Sequence, residues 1–156
     1  MPLNVLETRL LAFVGDLVRQ PDAARRDEMD CQCGQPLPPR GVEGVARFNA
    51  GEYYAQHDLF EAQWVAEPGP VRDLYRAILQ VGVAYYHVTR GNDRGALKML
   101  RRSVQWFADL PDVCQGVDVR QLREDAARVR AALEGGDPAA LDRARLPGVR
   151  LVDSGG

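Results

Sequence analysis

Several features that mark common protein classes are missing from this chain of 156 residues. It has no run of about 18 apolar residues, which a membrane-spanning helix needs, and it does not open with a charged and then apolar leader. Its net charge is −2, whereas a general nucleic-acid binder normally carries a basic excess. We therefore expect a soluble cytoplasmic protein that binds neither membranes nor nucleic acid.

Catalytic signatures are missing as well. The sequence contains no nucleophile elbow, no P-loop and no dinucleotide fingerprint. Neither H-E-x-x-H nor a pair of E-x-x-H motifs is present, and the chain has only two histidines. The sequence therefore specifies no reaction, and whether the protein is an enzyme stays open.

The three cysteines, Cys31, Cys33 and Cys114, are an odd number and do not form an even disulfide framework. Cys31 and Cys33 suggest half of a zinc site, but their C-x-C spacing is tighter than usual and only one further cysteine exists. We predict reduced thiols in a loop, with a structural zinc as the alternative. Cys114 has no basic neighbour in the sequence, so we expect it to be inert.

Apolar residues recur at helical spacing along most of the chain, and no convincing period-two run is present. This pattern predicts an all-α fold without a sheet, a compact bundle of five to six helices built from helical hairpins. We expect an N-terminal helix and a Pro/Gly-rich connector over 1–41, a helical core domain over 42–134, and a short C-terminal helix with a frayed tail over 135–156.

Caps and turn residues divide this pattern into individual helices. The predicted helices lie at 4–20, 42–50, 52–66, 71–89, 92–110, from 118 to a stop at 135, and from 138 to about 146, with a loop or mobile connector over 21–40. The helix at 71–89 is apolar nearly all round, which is typical of a helix buried on several sides. We therefore place it at the centre of the core.

The predicted helix at 52–66 carries a histidine in an apolar stripe. Tyr53, His57 and Trp64 share one side of this helix, and Glu61 lies one turn beyond His57. A buried imidazole needs partners for both ring nitrogens. We therefore predict that His57 and Glu61 form a buried polar pair that packs with Trp64.

The predicted central helix at 71–89 carries a narrow line of polar residues along its surface. Arg76, Gln80 and His87 lie within about 40° of one another on a helical wheel. The candidate site on both helices thus comprises His57, Glu61, Trp64, Arg76, Gln80 and His87. We favour a structural polar network without a cofactor. The alternative is a ligand pocket or a divalent metal such as zinc, bound by His57, Glu61 and His87 in a metal-dependent hydrolase.

Several of these residues also carry a family resemblance. The run Phe48-Asn49-x-Gly51-Glu52-Tyr53-Tyr54 is followed by His57-x-x-x-Glu61-x-x-Trp64, Ile78-Leu79-Gln80, Tyr86-His87 and Gly91-Asn92-x-x-Gly95-Ala96. In this order the motifs resemble the domain of unknown function family number three hundred and nine, over roughly residues 42–110. The resemblance implies an all-helical architecture and supplies no activity or functional residues.

Two classes of function remain. The first is a protein-interaction or self-associating module, most simply a homodimer. The helix after 118 has only small residues at several inward positions, and Trp106 lies off the main apolar stripe of its own helix. The second is the pocket or metal protein. The two classes predict different positions for His57 and Glu61. In the pocket or metal protein these residues lie in a solvent-connected pocket, and in the interaction module they lie in the core. We favour the interaction module.

Overall fold

Six helices and one short hairpin make up the part of the chain that the computed structural model describes, residues 23–153. In chain order the elements are α1 (23–33), α2 (Pro39–Asn49), α3 (Tyr53–Ala66), α4 (Arg72–Thr89), α5 (Asp93–Phe107), β1 (Val113–Cys114), β2 (Val117–Asp118), α6 (Val119–Glu134) and a 3-10 turn (Pro138–Ala140). The predicted all-α class is confirmed. The helix predicted at 4–20 lies outside the described residues, and within them no helix is long and apolar enough to cross a membrane.

Helix α4 is the central element, as predicted, and it packs against α3 on one side and α5 on the other. Leu74, Ile78, Val81 and Tyr85 are fully buried along it. Trp64 near the end of α3 and Trp106 near the end of α5 both contact the first half of α4. Helices α3 and α5 therefore run in the same direction, and α4 runs antiparallel to both.

The side chain of Gln56 on α3 packs directly against Gly82 of α4. A Cβ atom at Gly82 would lie 2.1 Å from Nε2 of Gln56. Gln56 itself is completely buried, and its Nε2 donates a hydrogen bond to the Leu79 carbonyl oxygen at 3.3 Å. A side chain at residue 82 would therefore have to displace the buried amide group of Gln56.

The loop predicted over 21–40 is wrong for residues 23–33, which form α1. Met29 of this helix is buried. Arg25 forms ion pairs with Asp73 of α4 at 2.8 Å and with Asp109 at 3.2 Å. The segment has too few apolar residues for a helical period to be visible. Its packing depends on partners about 50 and 80 residues away, which a local pattern does not contain.

The prediction of reduced thiols is wrong for two of the three cysteines. Cys33 at the end of α1 forms a disulfide with Cys114 of β1, across a sequence separation of 81 residues. Cys31 is free and exposed. Because Cys33 and Cys31 differ by two positions on a helix, they point in different directions, and only Cys33 faces the hairpin.

A small antiparallel hairpin corrects the expectation that no sheet is present. Val113 pairs with Asp118 and Cys114 with Val117. The turn between the strands places Gln115 and Gly116 at φ values of 48° and 75°, the left-handed region that a tight hairpin turn requires. These strands are two residues long, too short to produce a detectable alternating pattern.

The C-terminal segment differs from its prediction in two ways. The helix expected from 138 to about 146 is limited to the 3-10 turn. The tail from 147 to 153 is held in place: Val149 is buried, its N–H donates to Oδ1 of Asn49 at 2.7 Å, and its carbonyl accepts from Asn49 Nδ2 at 2.9 Å. Leu151 adds an antiparallel bridge to Val117. The proposed boundaries of the core domain stay a prediction.

Candidate functional site

All six candidate residues lie on the half-buried or exposed side of α3 and α4, next to the exposed side of α5. We call this surface the α3–α4–α5 face. It consists of Tyr54, His57, Glu61 and Trp64 from α3, Arg72, Arg76, Gln80, Tyr86 and His87 from α4, and Arg102 and Trp106 from α5. The sequence thus identified residues that do share a surface, but it placed that surface in the core.

A stacked guanidinium joins the three helices at one end of the face. The Cζ atom of Arg76 lies 3.8 Å from the ring centre of Trp64 and 4.2 Å from that of Trp106. Arg72 also lies over the Trp64 ring, at 5.3 Å. A cation over an indole contributes on the order of 0.5 to 2 kcal/mol, depending on how far it is desolvated. Arg76 is therefore fixed between two rigid apolar surfaces.

The two arginines of this stack have no carboxylate at ion-pair distance among residues 23–153. Asp73, which lies near Arg76, is itself bound to Arg25 at 2.8 Å. Removal from water, and then the positive charge of Arg72, lower the pKa of Arg76, while Asp73 raises it. Arg76 stays protonated at neutral pH because an arginine pKa begins so high. This end of the face is therefore positively charged.

The His57–Glu61 pair is present but not buried, which corrects the predicted buried network. His57 Nε2 lies 3.5 Å from Glu61 Oε2, and the two side chains are 33% and 49% exposed. The buried polar residue of α3 is instead Gln56, about 100° around the helix from His57. Because Tyr53, Gln56 and Phe60 form the buried side, Trp64 and His57 lie at its border and Glu61 lies in solvent.

A third group of contacts lies at the opposite end of the face, where the rings of Tyr54 and Tyr86 are 6.2 Å apart. Tyr54 is 69% exposed, and Tyr86 also stacks under the guanidinium of Arg90 at 4.9 Å. His87 Nδ1 lies 3.2 Å from Asn92 Nδ2, at the turn into α5. His87 thus contacts the next turn of the chain and belongs to the edge of the face.

The donor atoms that suit a metal ion differ from the predicted set. Within residues 23–153, one ligand atom each from His57, Asp58 and Glu61 lies within 4.8 Å of the other two, and His87 is not among them. The two nitrogens of His57 point to different carboxylates, since Nδ1 lies 3.3 Å from Asp58 Oδ1. All three residues come from one exposed stretch of α3, so a bound ion would remain largely hydrated.

Four polar atoms of the face are shielded from water without a hydrogen-bond partner in the described part of the chain. They are Trp64 Nε1, Arg72 Nε, Gln80 Oε1 and Trp106 Nε1. A shielded polar group without a partner costs on the order of 1 to 3 kcal/mol. The core beneath the face contains two further atoms of this kind, Gln56 Oε1 and the Tyr85 hydroxyl oxygen.

The candidate site predicted from the sequence did not include Tyr54, Arg72 and Arg102. Trp106 was recognised only as lying off its core stripe. Trp106 follows Arg102 by four residues, a spacing that places both on one side of α5. This signal was present in the sequence. What it could not show is that this side of α5 lies next to Trp64.

A separate apolar groove of about 480 Å³ lies between α5 and α6 and contains none of these residues. Leu100, Val104 and Phe107 line it from α5, and Ala127 and Ala131 line it from α6. The face is thus a broad surface formed by three helices, and it is distinct from this groove.

An all-helical domain with an aromatic and arginine-rich face is therefore the class that the fold and site define. Residues 42–99 match the family model of a domain of unknown function, DUF309, which is the family that the motifs predicted. The match runs from α2 into α5. It includes every candidate residue of α3 and α4 and ends before Trp106.

A weaker similarity connects the chain with an uncharacterized protein of Aquifex aeolicus (strain VF5). The two are 22% identical over 100 residues, which is 64% of this chain and 30% of the Aquifex protein. The chain therefore matches less than a third of that relative's length. Neither comparison assigns an activity.

Proposed function

We propose that this protein is a protein-interaction module whose contact surface is the α3–α4–α5 face, and that the protein self-associates through it. The observation that carries the proposal is the position of Arg76 between Trp64 and Trp106 within a partly exposed aromatic surface. Tryptophan, tyrosine and arginine are the residues most enriched at the energetic centres of protein interfaces. This face contains two tryptophans, two tyrosines and three arginines.

The preorganisation of the face supports the same proposal. Arg76 and the two indoles are already fixed by their mutual stacking, so little side-chain entropy remains to be lost on binding. Tyr54 is 69% exposed and contacts only the rings of His57 and Tyr86 among the aromatic groups around it. A partner that covers the Tyr54 ring would remove exposed apolar surface from water, which favours binding.

Sedimentation equilibrium of the full chain tests the proposal. The chain has a mass of 17.3 kDa, and we expect about twice that mass at micromolar concentration. Tyr54→Asp should shift the mass to that of one chain, because it places a charge on the face. Val104→Asp is the matched control, since Val104 is 55% exposed but lies in the α5–α6 groove. A single-chain mass for the unaltered protein would overturn self-association, and an effect of Val104→Asp alone would move the contact to the groove.

A divalent-metal site is the second candidate, because ligand atoms of His57, Asp58 and Glu61 already lie within 4.8 Å of one another. Such a site would support the pocket or hydrolase alternative. Titration with zinc followed by calorimetry tests it directly. Binding of one ion that is lost in both His57→Ala and Asp58→Asn would favour this candidate, and absence of saturable binding would exclude it.

The cellular compartment of the protein also stays a proposal. Composition and structure favour different compartments. The composition favours the cytoplasm, whereas the Cys33–Cys114 disulfide is typical of an oxidising environment. Thiols trapped by alkylation as cells are lysed distinguish the two. Three alkylated cysteines would support a cytoplasmic location, and alkylation of Cys31 alone would support an oxidising one.

A further inference from the structure

The two outer helices of the α3–α4–α5 face carry opposite charge. Helix α3 contains Asp58 and Glu61 and no lysine or arginine, and both carboxylates are exposed. Helix α5 carries Lys98 and Arg102 on its exposed side, four residues apart. Neither of these cations has a carboxylate at ion-pair distance within residues 23–153.

Arg94 of α5 likewise has no carboxylate at ion-pair distance within residues 23–153, whereas the two remaining charged side chains of α5 are paired. Asp93 is bound by Arg143 through two hydrogen bonds, at 2.7 and 3.1 Å, and Arg101 donates to Glu134 at 3.0 Å. The exposed charge of α5 is therefore positive. Since α4 lies between α3 and α5, the aromatic centre of the face lies between two charged edges. The acidic edge consists of Glu61 and the neighbouring Asp58, and the basic edge consists of Arg102 and the neighbouring Lys98.

From this arrangement we infer that the partner is a second copy of the chain, docked face to face about a two-fold axis parallel to α4. The inference rests on the proposed function and specifies its geometry. Such an axis places the acidic edge of each copy opposite the basic edge of the other. A two-fold axis perpendicular to the helices would instead place acidic against acidic and basic against basic, which is repulsive.

The positions of the charges along the helices fit the parallel axis. Trp64 and Trp106 both stack on Arg76, so they mark one level on α3 and α5. At 1.5 Å per residue, Glu61 lies about 4.5 Å and Arg102 about 6 Å from that level, in the same direction.

The second pair of charges follows the same register. Asp58 lies about 9 Å and Lys98 about 12 Å from the level of Arg76. A two-fold axis parallel to the helices preserves position along them, so Glu61 meets Arg102 of the second copy and Asp58 meets Lys98 of the second copy. Long, flexible side chains span the remaining differences of a few ångströms.

The dimensions of the face suit a dimer of modest affinity. Its helices have 14, 18 and 15 residues and are therefore about 21 to 27 Å long. Three helices packed side by side give a surface roughly 25 Å wide, near the lower end for specific interfaces. The axis also brings the two Arg76 side chains toward each other, which weakens the contact at its centre.

Complementary charge reversal tests this geometry. One variant carries Lys98→Glu with Arg102→Glu, so both of its edges are acidic, and the other carries Asp58→Lys with Glu61→Lys, so both of its edges are basic. We expect each variant alone to be monomeric in sedimentation equilibrium, with a dissociation constant at least tenfold higher than that of the unaltered protein. An equimolar mixture should form one-to-one heterodimers, because every edge then faces the opposite charge.

The controls separate this inference from the proposed function. A double reversal on α6, Arg120→Glu with Arg128→Glu, changes the net charge by as much as Lys98→Glu with Arg102→Glu and should leave the dimer intact. Circular dichroism confirms that each variant is folded. A dimer that both edge variants retain would overturn the inferred pairing and leave the proposed function standing. Edge variants that dissociate but fail to associate when mixed would also overturn it, whereas an unaltered protein that is monomeric would overturn both proposals.

Discussion

Gly82 of α4 packs so closely against Gln56 of α3 that a Cβ atom at position 82 would lie 2.1 Å from Gln56 Nε2. Gln56 has no exposed surface, so it cannot move aside into solvent. The contact lies between two of the helices that carry the face.

The first prediction follows from this contact. Gly82→Ala should lower the free energy of unfolding by about 1 to 3 kcal/mol, because the added methyl group overpacks the core. Gln56→Ala in the same chain provides the space, so the double variant should be destabilised by less than the sum of the two single changes. Urea unfolding measures all three variants, and strictly additive losses would show that the two side chains are not in contact.

The second prediction concerns the Cys33–Cys114 disulfide, which closes a loop of 81 residues. Removing a native disulfide typically costs about 2 to 5 kcal/mol, mostly by releasing the unfolded chain from a constraint. Cys33→Ser and Cys114→Ser should therefore each lower the unfolding midpoint, and a reducing agent should do the same to the unaltered protein. Cys31→Ser is the matched control and should have no effect, since Cys31 is free and exposed.

Local signals explain which parts of this fold could be predicted. Asn92 and Asp118 cap α5 and α6 by accepting hydrogen bonds from the N–H groups of Gly95 and Gln121, and both caps are legible as short sequence patterns. The disulfide and α1 were missed for the opposite reason. The Cys33–Cys114 disulfide and the Arg25–Asp109 ion pair form between segments that are distant in the sequence. No spacing along the chain indicates those pairs.

The candidate site shows the same limit within a single helix. Helical spacing correctly grouped His57, Glu61 and Trp64 on adjoining positions of α3. Which side of that group faces the core depends on where α4 lies, and Gln56, a polar residue, takes the buried position. A stripe of aromatic residues was therefore read as core when it forms the border between core and surface.

The third prediction uses the fact that the chain's only two tryptophans both flank Arg76. Arg76→Met removes the cation but keeps an apolar side chain between the rings. It should lower the free energy of unfolding by about 1 to 2 kcal/mol and change the emission spectrum of the native protein. Arg90→Met, which removes a cation from Tyr86, should leave tryptophan emission unchanged. Unaltered emission in Arg76→Met would contradict the stacked arrangement.

The fourth prediction is a dependence of stability on pH at the start of α6. The hydrogen bond from the Gln121 N–H, with help from Arg150, lowers the pKa of Asp118. A carboxyl whose pKa is lower in the folded state stabilises that state above its unfolded pKa, about 3.9, and loses the effect as the pH falls through the folded pKa. Asp118→Asn should therefore reduce stability at neutral pH, and the difference from the unaltered protein should shrink in acid. Equal differences at pH 7 and at about pH 2.5 would contradict this assignment.

The last prediction compares the surface pair of α3 with its buried neighbour. His57 and Glu61 are 33% and 49% exposed and 3.5 Å apart, and exposed pairs of this kind contribute about 0 to 1 kcal/mol. His57→Ala and Glu61→Ala should therefore each change the free energy of unfolding by less than about 1 kcal/mol. Gln56→Ala should cost more, because it leaves a cavity beside Gly82 and removes the hydrogen bond to the Leu79 carbonyl oxygen. Urea unfolding at neutral pH measures these differences. A larger loss of unfolding free energy for His57→Ala than for Gln56→Ala would contradict the surface position of His57.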